Sequence, residues 1–128
     1  MISLNLQKQI EYWKNIALSD FETVEILIEK GKSLHGLFFC HLTIEKILKA
    51  HYVNSTKSLA PKTQDLINLS NKSDLQLKEK FQLLLVSLMK YQLEGRYPEY
   101  KLDPPNKEKT REYLNQTKEL LEWLVQKL

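Results

Sequence analysis

Apolar residues recur along this chain at close to 100° per residue in four long stretches, separated by short runs rich in Gly, Ser, Asn and Pro. The first stretch predicts a helix over 6–29. Ile10, Trp13, Ile16, Ala17, Phe21, Val24, Leu27 and Ile28 share one broad stripe, and Gly31 follows as a stop. Asp20 interrupts that stripe. A carboxylate on an apolar face is costly to desolvate unless a cation or several donors meet it, so a lysine of the next helix is its expected partner.

The second stretch predicts a helix over 34–53. Leu37, Cys40, Ile44, Ile47 and Leu48 lie on one arc, and Phe38, His41, Leu42, Glu45, Lys46 and Lys49 on the other. Apolar residues on both arcs make it the central helix, with Lys46 or Lys49 as the cation for Asp20. After Pro61, Thr63 is the expected N-cap of a short helix with Asp65 in its first turn. Ser73 and Gln76 have the spacing of a capping box, which opens a long helix over 73–94. Its core stripe is Leu77, Phe81, Leu84, Leu85, Leu88 and Tyr91.

On that helix Leu75, Val86, Met89 and Leu93 form a second strip. An apolar strip is rarely left in water, so it reads as the face of a homodimer. The last helix, over 106–127, aligns Tyr113, Leu114, Thr117, Leu120, Leu121, Leu124 and Leu128. Asn106 is its N-cap and Lys127 stands in its closing turn, while Trp123 falls off the stripe. The pattern as a whole predicts an all-α protein: one domain over 1–128, an antiparallel up-down bundle of four long helices and one short helix.

Composition narrows the function classes. The 128 residues are 42% hydrophobic and 27% charged, a globular balance, and the net charge of +3 permits contact with a polyanion without the charge density of a dedicated nucleic-acid binder. A lone cysteine, Cys40, rules out an intrachain disulfide and points to a reducing compartment, the cytoplasm. The first residues lack a basic segment followed by an apolar block, and no window approaches the ~20 apolar residues of a membrane span, so neither export nor membrane anchoring is expected.

Candidate chemistry is sparse. The chain has no glycine-rich phosphate loop, no Cys-x-x-Cys pair and no nucleophile elbow, and no catalytic residue or cofactor is assigned. Its three histidines, His35, His41 and His51, sit on the second helix, with His35 and His51 turned away from His41, so no metal site is expected. His41 stands one turn before Glu45. That is half of a general-base arrangement, or simply a hydrogen-bonded helix histidine. Cys40 falls on the apolar arc, where a thiol is inert.

Two groups of residues suggest binding. In GRYPEY, residues 95–100, a glycine to stop a helix and a proline to prevent its restart are structural needs, but Arg96 and Tyr97 are not. They suit a guanidinium that grips phosphate and a ring that stacks on a base, or else a helix-end cation and a core aromatic. Asp20, His41, Glu45, Lys46 and Lys49 suit a polar pocket opening beside Arg96, or else an ion-pair network that fixes the register of the helices.

The order of these features resembles the HEPN domain, named for higher eukaryote and prokaryote nucleotide binding, and most closely its bacterial single-domain members. The resemblance rests on Trp13 and Asp20 of the first helix and on FFCHLTIEKILKAHY, with Glu45, Lys46, Lys49 and Ala50 at the signature places. It extends to PKTQDL, where Gln64 stands for the usual histidine, and to Arg96, Tyr97, Pro98 and Glu99. Nuclease members of that family carry a histidine four to six residues after the arginine, and Arg96 is followed here by YPEYKLDPP. The resemblance therefore implies a nucleotide- or RNA-binding protein with little or none of that activity, working as a homodimer beside a minimal nucleotidyltransferase in a toxin and antitoxin type of pair. Arg96, Tyr97, Lys46 and Lys49 would carry the binding. The alternatives are a metal-independent ribonuclease toxin using Arg96 with His41 or Tyr100, and a helical adaptor that only pairs through the Leu75, Val86, Met89 and Leu93 strip.

Overall fold

The computed structural model describes residues 4–96, Glu99 and 103–128, with the side chains of residues 4 and 93–96 outside that description. Among the described residues five helices follow one another: α1 (Leu4–Glu29), α2 (Ser33–Thr56), α3 (Leu66–Lys72), α4 (Glu79–Arg96) and α5 (Lys107–Gln126). No strand occurs among the described residues, and no helix there is long and apolar enough to cross a membrane.

Gly31 ends α1 as its sequence position predicts. Its φ of 78° is open to a residue without Cβ, and it lets the amides of Gly31 and Lys32 donate to the carbonyls of Ile28 and Leu27 at 3.0 and 2.8 Å. The chain reverses there and enters α2 within three residues. A second glycine then allows the two helices to close on each other: a Cβ at Gly36 would stand 2.5 Å from Ile28 Cγ1.

Two helix starts differ from the expectation. Thr63 does not cap α3. Asp65 does, its Oδ1 accepting from the Asn68 amide at 3.0 Å, while Thr63 Oγ1 accepts from the Asp65 amide one step earlier. Nor does Ser73 open α4. Its hydroxyl donates backwards to the Leu69 carbonyl at 2.6 Å and its amide to Ser70, which makes it the C-cap of α3; Asp74, in the left-handed region at φ 56°, then turns the chain. The helix begins only at Glu79, so Leu75 lies in the connecting segment and not on α4. Asn106 caps α5 as expected, accepting from the Lys109 amide at 2.7 Å.

The core sits around α2, which touches each of the other four helices, whereas α1 and α4 share no contact among the described residues. Leu37, Cys40, Ile44, Ile47, Leu48, Ala50 and Val53 of α2 are all fully buried, in keeping with the apolar pattern on both of its arcs. α4 and α5 are antiparallel: Phe81 meets Trp123 at one end, with ring centroids 6.4 Å apart, and Tyr91 meets Tyr113 at the other, 6.0 Å apart. The ends of α2 and α5 are tied by His51, whose Nε2 lies 2.7 Å from the Leu124 carbonyl.

Candidate functional site

Glu45, midway along α2 and only 3% exposed, is the hub of the polar residues. Lys49, one turn on, donates to its Oε2 at 3.1 Å, Lys46 Nζ lies 3.6 Å from the same oxygen, and His41 Nδ1, one turn back, lies 3.6 Å from Oε1. Both ammonium groups also stand over the Trp13 indole of α1, 5.4 and 5.3 Å from the ring centroid. A carboxylate and an aromatic face thus hold two cations between the paired helices, where little water competes.

Asp20 is not the neutralised partner that its place in the α1 stripe predicts. The two lysines pair with Glu45 instead: Lys49, four positions on and on the same helix face, reaches it without crossing an interface, and Lys46, its sequence neighbour, lies 3.6 Å from the same oxygen. Asp20 is half-buried, and burial raises its pKa; the nearby Lys46 charge works against that rise and Glu45 adds to it.

His41 is fully buried, with Nε2 3.0 Å from the Gln64 carbonyl. Since a carbonyl only accepts, that nitrogen carries the proton, and the ring fastens the PKTQDL segment onto α2. The Gln64 side chain itself is exposed. Burial pushes the Cys40 thiol up to about 12, against a smaller opposing effect of the Thr117 hydroxyl. Among the described residues no group of three His, Cys, Asp or Glu side chains converges as a metal site would require.

His51 enters the sequence analysis only as a histidine turned away from His41, since nothing local marks which α5 carbonyl it meets. Burial lowers its pKa, the hydrogen bond to Leu124 opposes this, and the Lys127 charge lowers it further. The unfolded chain therefore takes the proton first. The contribution of neutral His51 to stability should be complete above the ordinary histidine value of about 6.5 and be lost as pH falls through the lower folded value. Urea titrations between about pH 5 and 8 should show this acid-side loss, and His51→Gln should flatten it.

The structure brings Trp13, His41, Glu45, Lys46 and Lys49 together, with Asp20 at the margin. The side chain of Arg96 and all of Tyr97 and Tyr100, the binding residues expected in GRYPEY, lie outside the described residues. Of the dimer strip, Val86 is 46% exposed on α4, Met89 is half-buried, and Leu93 has its side chain outside the description. Leu75, displaced from the helix, shares with Val86, Ile67, Leu77 and Leu85 a groove of about 400 Å³ between α3 and α4. Leu83, missed by the sequence reading, is more exposed than any of them at 61%.

A known family matches this chain: the HEPN domain family corresponds to residues 10–128, and the chain belongs to that family. It is similar in structure to TT1696 from Thermus thermophilus, known from a crystal structure, with a TM-score of 0.79 and 17% identity over 94% of this chain and 98% of that one. At that identity the likeness speaks for the fold alone. No curated protein matches the chain.

Proposed function

We propose that this is a cytoplasmic, homodimeric HEPN protein that binds a nucleotide or an RNA end without cleaving it and acts with a second chain, a minimal nucleotidyltransferase in a toxin and antitoxin type of pair. The observation that carries the binding part is the pair of lysines on the Trp13 ring. Lys46 keeps 23% of its side chain exposed, so a phosphate can draw it away from Glu45 while Lys49 stays as the counter-ion of the carboxylate. Arg96 and Tyr97 supply the second half of the binding group. The absence of a histidine in the residues after Arg96 argues against proton transfer by imidazole, the group best suited to RNA cleavage near neutral pH. The exposed Leu83 and Val86 on α4, with Leu75 in the adjoining groove, support the homodimer, and HEPN domains commonly pair.

Titration of labelled RNA and of nucleoside triphosphates at low salt tests this. Lys46→Ala and Arg96→Ala should each weaken binding by about fivefold or more and reduce its salt dependence. Unchanged affinity in both variants defeats the assignment. Metal-free cleavage of the RNA, abolished by Arg96→Ala, would favour the ribonuclease reading instead.

A further inference from the structure

We infer that the groove between α1 and α5 docks an amphipathic helix of a different protein, one that carries lysine or arginine on both flanks of an apolar stripe. The groove has a volume of about 390 Å³, and its floor is Phe21, Leu121 and Val125. Leu18, 41% exposed, stands at its edge. Glu25 of α1 and Glu122 of α5 both line it, with Lys118 as the one base in the lining among the described residues.

The charge around it selects the occupant. Residues 11–29 hold five acids and one base, in a chain whose net charge is +3. Glu11, Leu18, Glu22, Glu25 and Glu29 recur at helical spacing, so they form one stripe along α1, and its four glutamates are exposed. The base, Lys14, is already paired with Glu11 at 3.4 Å. The stripe runs from Glu11 to Glu29, about 27 Å of helix, which is the reach of another helix and far beyond that of a small molecule.

A second copy of this chain does not fit. A two-fold contact would set each acidic stripe against itself, and like charges at an interface oppose association. The surface is also distinct from the lysine cluster. Trp13 and Leu18 are five residues apart, about 140° around α1, so one faces α2 and the other flanks α5. The docking inference does not depend on nucleotide binding.

The test uses the full chain labelled with ¹⁵N and a synthetic peptide of about 18 residues with leucine at helical spacing and lysine on both flanks. A twin with glutamate in place of lysine is the control. The lysine peptide should shift amide signals around Leu18, Glu25, Leu121 and Val125, and added salt should weaken it. Combined Glu25→Lys and Glu122→Lys, both on exposed positions, should weaken it by about tenfold or more. Lys46→Ala should leave it unchanged, which separates this surface from the RNA-binding one. Leu18→Asp, at an exposed site, should abolish the shifts while circular dichroism stays unaltered. Equal binding of the glutamate twin, shifts centred on the Val86 groove, or indifference to charge reversal would overturn the inference. So would self-association of the free chain that Leu18→Asp removes.

Discussion

Glu45→Ala is expected to lower the stability of the protein by about 3–5 kcal/mol in a denaturant titration, the scale found when one member of a buried ion pair is removed. The loss would not measure what the carboxylate contributes. It would measure what remains: Lys49, with 8% of its side chain exposed, and Lys46, both pressed against the Trp13 ring with their shared anion gone. Removing both charges should cost much less, so Glu45→Leu combined with Lys49→Met should recover most of the stability that Glu45→Ala loses. A drop of less than about 1 kcal/mol for the single variant would mean that water reaches the cluster freely.

Leu48→Ala should cost about 2–5 kcal/mol, because Leu48 is fully buried on the helix that touches all the others and neighbours can collapse only partly into the space it leaves. Leu83→Ala on α4 should change stability by no more than about 0.5 kcal/mol. The same two variants, followed by sedimentation, separate core from interface: Leu83→Ala should alter the monomer and dimer balance if the α4 face pairs. A dimer indifferent to both Leu83→Ala and Val86→Asp would remove that face from the proposed contact.

The bundle was legible because its signals are repeated. Each long helix shows its stripe over several turns, and α2, covered on both arcs, declared its central place through the run from Leu37 to Leu48. Helix starts were less legible because they turn on single hydrogen bonds. Ser73 has the spacing of a capping box with Gln76, yet its hydroxyl is drawn to the Leu69 carbonyl once α3 has formed behind it. Spacing alone does not tell those two partners apart.

The candidate site was legible as a set of residues and not as a set of pairs. Glu45, Lys46 and Lys49 were placed in one polar group, but Asp20 was given the cation that Glu45 holds. The signal was present in the spacing of Glu45 and Lys49, four residues apart and hence adjacent on one helix face. In the sequence Trp13 stands only on the core stripe of α1 and among the residues that carry the family resemblance. Its use as a seat for two ammonium groups depends on how α1 and α2 are turned toward each other, which no single helix reveals. The link from His51 to Leu124 joins residues 73 positions apart and leaves no local trace.

The three-residue reversal at Gly31 also bears on how the chain reaches this state. It joins α1 to α2 with hardly any loop to close, so contacts beside the turn are close in sequence and the rest can form outward from them at little chain-entropy cost. α5 must instead be brought back from the far end of the polypeptide to cover the same helix. The hairpin should therefore assemble early, already formed while the ribosome is still making the final third, and leave the apolar flank of α2 waiting for its last cover.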